Sequence, residues 1–241
     1  MDFPDKTDYK QLLSFMIHEL RTTNRQIKES SRLLSLAIRG NRIDEELIRN
    51  HVSTIVEQSS GLSSWLAIAD LYIDPDKFSR EPHRVFSLHQ MFYRSQSNFK
   101  RLAESKRIRL HLYGIGKFNI VAHPIIDVVP YILLDNAIKY SPLNGSVDIS
   151  LNEGAEMITA KVSSHGPFAD QEELQRVCEA GYRGKHAQMA SQIGNGLGLS
   201  LLDAICVHHD IGIEILSEAA TWEYNGIPYS EFAVVLRFKK A

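Results

Sequence analysis

The chain has 241 residues, with 27 Lys+Arg against 29 Asp+Glu, a formal net charge of −2, 44% hydrophobic residues and 23% charged ones. That balance suits one large or two smaller globular domains and supplies no basic field for nucleic acid. No apolar run approaches the roughly 20 residues of a membrane span, Met1–Lys6 lacks a secretory signal's order, and Cys178 and Cys206 lack metal-ligand spacing, so a reduced, cytoplasmic protein is expected.

No Gly or Pro interrupts the chain between Pro4 and Gly40. Apolar residues recur there at Leu13, Ile17, Leu20, Ile27, Leu34 and Ile38, with polar Asn24 and Ser31 between them. A second run follows at Ile48, Val52, Ile55, Ser59, Leu62, Leu66 and Ala69. Steps of four and three predict helices packed along a narrow seam, with Ile17 and Leu20 facing inward. Gly40 supplies a stop between them, so residues 1–74 are predicted to form an antiparallel hairpin. One hairpin cannot cover its own seam, and two copies forming a four-helix bundle would, hence an expected homodimer.

Pro75 and Pro82 mark a linker, and residues 83–241 mix strands and helices. Strands are predicted at 85–88, 108–112, 146–151, 157–163, 211–217 and 231–238, and helices between the first two and near 125–140 and 196–209. The fold class is therefore α+β: a helical hairpin followed by an α/β sandwich. Residues 168–193 show little periodicity and are expected to form a long mobile loop of functional use.

Three features could carry chemistry. His18-Glu19 lies on the first helix, with His18 about 100° round from Ile17 and so on the shoulder of the bundle. A neighbouring carboxylate can take the ring proton while a nitrogen attacks; alone, the pair equally suits a charged surface. In Tyr131–Pro142, Asn136 and Lys139 stand three apart on one helical face, an oxygen ligand for a hard cation beside a charge for phosphate. A helix-end amide and a solvated lysine fit that pattern as well. Gly194, Gly196 and Gly198 lead into an apolar helix whose N–H groups suit a phosphate chain, or form a plain hinge. His111 and the helix-end pair His208-His209, where a cation is welcome, are read as structural.

The order and spacing of these features resemble the catalytic core of bacterial sensor histidine kinases over nearly the whole chain. Residues 8–72 resemble the dimerisation and histidine-phosphotransfer hairpin, and 83–239 the Bergerat-type (GHKL) ATP-binding domain shared with gyrase, Hsp90 and MutL. His18-Glu19-Leu20-Arg21-Thr22 is similar to the family's H box, Leu133–Pro142 to its N box, and Gly194–Leu199 to its G2 box, while Gly181-Tyr182-Arg183-Gly184 is similar to the start of its ATP lid. The resemblance implies ATP and Mg²⁺ as cofactors, His18 as phosphoacceptor, Glu19 as the residue that polarises it, and Thr22 orienting water in a phosphatase reaction. It places Asn136 on the Mg²⁺, with Lys139, Tyr140 and Arg183 near the phosphates, and Gly194, Gly196, Leu197, Gly198 and Leu199 along the phosphate path. Ser164 and Gly166 fall in the adenine-contacting G1 box. The implied partners are a response-regulator receiver domain and a separate or trimmed sensor module.

The chain departs from the family at several points. Thr23 and Asn24 replace the usual Pro-Leu, which predicts a straighter helix with the Asn24 amide in the seam. Ile132 stands where the N box opens with Asn, and Pro130 should kink that helix or mark its start. Ser164 replaces the aspartate that accepts from the adenine amino group, and Val177-Cys178 replaces a lid aromatic. Two functions follow: a kinase that autophosphorylates His18 from ATP and passes the phosphoryl group to a regulator aspartate, or a degenerate module that docks a regulator without using ATP. An ATPase of the same fold is a remoter third, which leaves His18 without a purpose.

Overall fold

In a computed structural model the chain divides into two units, Met1–Arg80 and Glu81–Ala241. The description covers residues 6–39, scattered positions between 47 and 69, and 82–241 apart from 115, 117 and 192–195; within the first helix it covers side chains at 17 and 20–38.

Helix α1 (Lys6–Arg39) runs for 34 residues, as an unbroken stretch without Gly or Pro allows. The predicted seam splits into two stripes. Leu20, Thr23, Ile27, Ser30, Leu34 and Ala37, in steps of three and four, are half-buried or buried. Ile17, Asn24, Ser31 and Ile38, every seventh residue, are exposed, Ile17 by 46%. Ile17 therefore does not face inward within this chain, and Asn24 lies outside the covered stripe. The described positions between 47 and 69 are helical and split the same way: Ile48, Ile55 and Leu62 are half-buried, whereas Val52, Ser59 and Leu66 are exposed. The predicted turn at Gly40 lies outside the described residues.

The second unit begins with β1 (Arg84–Ser87), and the Ser87 side chain then accepts the Gln90 N–H and starts α2 (Leu88–Ser105). After β2 (Arg109–Tyr113) and β3 (Asn119–Ala122), a short 3₁₀ turn (Pro124–Asp127) leads into α3 (Val128–Tyr140). Pro130 falls in the first turn of α3, where no intrahelical N–H is required, so it needs no kink. Strands β4 (Ser146–Glu153) and β5 (Met157–Pro167) follow. Next come α4 (Gln171–Arg176), α5 (Lys185–Ala190) and α6 (Gly198–His208), and finally β6 (Gly212–Ser217), β7 (Trp222–Tyr224) and β8 (Ile227–Lys239). The expected loop at 168–193 thus carries two short helices.

The main sheet has the order β2-β4-β5-β8-β6, parallel at β2/β4 and antiparallel elsewhere, with β7 on β8; β1 and β3 form a separate pair. One face of the sheet, through Val147, Ile149, Leu151, Ile158, Ala160 and Val162, is buried together with Phe92 and Phe99 of α2 and Leu133, Leu134 and Ile138 of α3. Alternating positions put the His111–Asp148 hydrogen bond and the Lys161–Glu231 ion pair on the opposite face. Among the described residues, no helix is long and apolar enough to cross a membrane.

Candidate functional site

α3 is the wall on which the rest of the site converges. Val129, Ile132, Leu133, Leu134, Ala137 and Ile138 are buried, while Asn136, Lys139 and Tyr140 stay half-exposed. Lys139 Nζ lies 5.2 Å from the centroid of the Tyr140 ring, so its charge is held at the helix end. The start of α3 is fixed by two histidines. His123 is buried, and its Nδ1 accepts the Ile125 N–H (3.2 Å), capping the 3₁₀ turn. The His123 backbone N–H in turn donates to His209 Nε2 (3.2 Å), whose Nδ1 donates to the Ile205 carbonyl (2.8 Å). Both ring nitrogens of His209 are therefore committed to its neutral form. Burial, reinforced by the nearby imidazoles of His208, His123 and His83, pushes its pKa down to about 4 against the opposing Ile205 carbonyl. That corrects the expectation of a cation at this helix end.

Two other segments touch α3 eight residues apart. A Cβ on Gly166, at the end of β5, would lie 4.0 Å from Tyr140 Cβ and 3.5 Å from Phe232 Cβ. A Cβ on Gly198, at the start of α6, would lie 3.6 Å from Ile132 Cγ2. Asn136 stands midway between these two contacts. Ser164, one of the β5 residues facing the helices, is buried between Val147 and Phe232 in the register, whereas His165 points to the other face and meets Trp222 edge-on at 5.9 Å. Ile132 is buried as an apolar residue against the start of α6.

Residues 170–191 and 196–198 are held by hydrogen bonds and one close backbone approach. Gly196 has φ +69, and a Cβ there would lie 2.2 Å from the Tyr182 carbonyl oxygen, so only glycine fits. The Gly181 N–H donates to the Gly196 carbonyl (3.1 Å), sewing the two strands of the loop together. α4 is capped by Asp170, which accepts the Glu173 N–H (2.8 Å), and Glu173 accepts the Lys185 N–H at the start of α5 (2.6 Å). His186 Nδ1 donates to the Phe168 carbonyl (2.9 Å), joining α5 to the end of β5. The Arg183 guanidinium donates to the carbonyls of Ala187 and Ser191 at the end of α5. Its charge is thus directed at a helix C-terminus rather than at an open phosphate position. Gly194 lies outside the described residues. Gly198 is exposed, Leu197 and Leu199 are half-buried, and the first N–H groups of α6 have no side-chain cap and no acidic residue in the first turn.

Cys178 and Cys206 are free, and burial beside Asp203 pushes their thiols up to about 11 and about 12, which makes them inert. His18 and Glu19 are residues of α1 whose side chains lie outside the described residues; Arg21 is exposed and Thr22 half-buried. Among the described residues no group of three His, Cys, Asp or Glu could hold a metal. The donor set around α3 instead suits a nucleotide and its metal: an amide oxygen at Asn136, an ammonium one turn on, and an uncapped helix N-terminus behind a glycine that leaves no room for a Cβ.

Residues 127–238 match the model of the histidine kinase-, DNA gyrase B- and HSP90-like ATPase family. The matched residues lie wholly within the second unit. Across both units, the chain is similar to sensor histidine kinases. It is 26% identical over 196 residues to the signal transduction histidine-protein kinase/phosphatase MprB of Mycobacterium leprae, covering 80% of this chain and 37% of that protein. It is 23% identical over 226 residues to the sensor-like histidine kinase SenX3 of Mycobacterium tuberculosis, covering 90% and 54%. The solved structure of a mycobacterial sensor histidine kinase MprB shares the fold, with a TM-score of 0.55 at 20% identity over 66% of this chain and all of that one. The chain spans about half or less of the length of these two curated relatives.

Within the second unit, sequence reasoning missed Lys106, His123, Glu173 and His186. Lys106, Glu173 and His186 each bond a main-chain group far along the chain, and His123 reaches His209 through its own backbone N–H; no local spacing announces such bonds.

Proposed function

We propose that this chain is the ATP-dependent kinase core of a two-component system, which phosphorylates His18 and passes the phosphoryl group to an aspartate of a response-regulator receiver domain. The observation that carries the reading is the convergence on α3: Gly166 packs at Tyr140 and Gly198 at Ile132, with Asn136 between them and Lys139 beside it. Two segments widely separated in the sequence thus meet on one helix, where an amide, an ammonium and glycine backbone can receive a nucleotide's phosphates.

In this reading Asn136 supplies an oxygen to Mg²⁺, Lys139 and Tyr140 attend the phosphates, and the backbone around Gly196, Leu197, Gly198 and Leu199 accommodates them under the lid. The metal, when bound, neutralises phosphate charge for transfer. His18 is the nucleophile and Glu19 takes its ring proton. Thr22 orients water for dephosphorylating the regulator. Ser164 recognises the base as a neutral partner, weaker than a carboxylate by about 1 kcal/mol. Two copies pair through the exposed lines Ile17–Ile38 and Val52–Leu66, which recur every seven residues as a second packed layer requires. Adding Mg-ATP to the purified chain should produce an acid-labile, base-stable label that His18→Gln and Asn136→Ala both lose. A labelled His18→Gln variant would end the assignment of the phosphoacceptor.

One observation favours the degenerate module: Ile132 places a buried methyl where the family has an amide. Titration with ATP, ADP and GTP separates the two readings, since a docking module binds none of them while still capturing a receiver domain.

A further inference from the structure

The C-terminal end of α3 is held by a side chain that belongs to none of the sequence boxes. Lys106 ends α2: its N–H donates to the Ala103 carbonyl (3.1 Å), and Arg107, with φ +53, turns the chain back toward β2. From that turn the Lys106 side chain crosses to the last turn of α3. Its Nζ donates to the carbonyls of Ile138 (2.6 Å), Lys139 (3.0 Å) and Ser141 (3.2 Å). An ammonium has three N–H donors, and all three are used. Two of these acceptors are carbonyls that a helix C-terminus leaves without an intrahelical partner, at the negative end of the helix dipole.

The Ser141 N–H donates to the Ala137 carbonyl (3.0 Å), but the buried Ser141 Oγ has no hydrogen-bond partner. Burial lowers the Lys106 pKa, and the three carbonyls offset the cost of keeping the charge there. The turn so held carries Lys139 and Tyr140, and Asn136 lies one turn earlier.

We propose that Lys106 is a positioning residue of the nucleotide site, whose ammonium fixes the axial position of the last turn of α3 and so presents Asn136 and Lys139 to the phosphates. This rests on the nucleotide-binding reading above. Lys106 touches no substrate itself. Its effect is on ground-state presentation, so affinity should suffer before the chemical step does.

The test uses the full chain with Lys106→Met and Lys106→Arg. A fluorescent ATP analogue with Mg²⁺ reads affinity, saturating ATP reads the maximal labelling rate, and hydrogen exchange reads the amides of 137–141. Lys106→Met should weaken nucleotide binding about tenfold with the maximal rate held within about twofold. Exchange should quicken in the last turn of α3 and not in α6. Lys106→Arg, which keeps the charge and the donors, should restore affinity to within about threefold. If the Met variant does not fold, Lys106→Gln replaces it and the same split is expected. A folded Met or Gln variant with unchanged nucleotide affinity overturns the role of Lys106 and leaves the nucleotide reading standing. A wild-type chain that binds no nucleotide overturns both.

Discussion

The two walls of the candidate site are built by opposite means. α3 buries an apolar face in the domain core, and its two ends are pinned by side chains: His123 and neutral His209 at the start, charged Lys106 at the finish. The lid helices α4 and α5 have no buried residue, and they are held by a close backbone approach at Gly196 and by polar bonds to main-chain groups. A wall made of core moves only when the fold loosens, whereas one made of peripheral hydrogen bonds can part from the core while the fold stays intact. Damage to the lid should therefore cost nucleotide affinity without stability, and damage to the ends of α3 should cost both.

The sharpest way to break this contrast is Gly196→Ala. The added methyl would sit 2.2 Å from the Tyr182 carbonyl at φ +69, so neither the rotamer nor the backbone can absorb it. Mg-ATP affinity is expected to fall by at least about a hundredfold, while the urea midpoint of the domain hardly moves. A matching collapse in urea would show that the lid belongs to the core.

On the α3 side the corresponding lever is pH. The folded pKa of His209 is about 4, below its usual 6.5. The unfolded chain therefore takes up this proton first as pH falls. Stability is full above about pH 6.5, declines between there and about pH 4, and levels off below, and the loss is about 2 kcal/mol after discounting for partial solvent screening. Protonation at Nε2 would also take away the acceptor of the His123 N–H, loosening the start of α3. Urea unfolding between pH 8 and pH 4 checks this, with His209→Leu expected to flatten the slope, lying about 2 kcal/mol below the wild type at pH 8, the cost of a buried N–H without its acceptor, and meeting it near pH 4.

Arg183→Gln tests the lid more gently. It removes the charge at the C-terminus of α5 and at least one of the two bonds to Ala187 and Ser191. A loss of about 1 kcal/mol in lid order is expected, read as a several-fold rise in the Kd for Mg-ATP with the unfolding midpoint unchanged. A rise of a hundredfold or more would instead return Arg183 to direct phosphate contact, which the family resemblance implied and its present partners do not favour.

What the sequence disclosed follows the same division. α3, β4, β5 and α6 were legible because long apolar runs carry a period, and Asn136 and Lys139, predicted to share a face of α3, are both half-exposed. The lid helices were not, because six residues give fewer than two turns and their stability comes from partners such as Phe168 and Glu173 many residues away. β3 and β7, four and three residues long, fail for the same reason. In α1 the heptad announced a seam but could not tell which of two adjacent stripes is covered, so polar Thr23 and Ser30 turned out buried and Ile17 exposed. Lys106 sits in Glu104-Ser105-Lys106-Arg107, a charged run that reads as solvated surface until the end of α3 is placed beside it.

The smallest effect sought is a gain. Ser164 is buried on β5, on the side of the sheet that faces α3. If its hydroxyl is the base-recognising group, Ser164→Asp supplies a charged acceptor in place of a neutral one, worth about 1 kcal/mol and so about a fivefold tighter Kd for ATP. The same carboxylate is buried without a partner when no nucleotide is bound, so the apo domain should unfold at lower urea than the wild type. Tighter ATP binding, unchanged GTP binding and a less stable apo form would together locate the base at Ser164. A variant that loses stability and gains no preference for ATP over GTP would place the base elsewhere, and would leave the α3 wall responsible for phosphate alone.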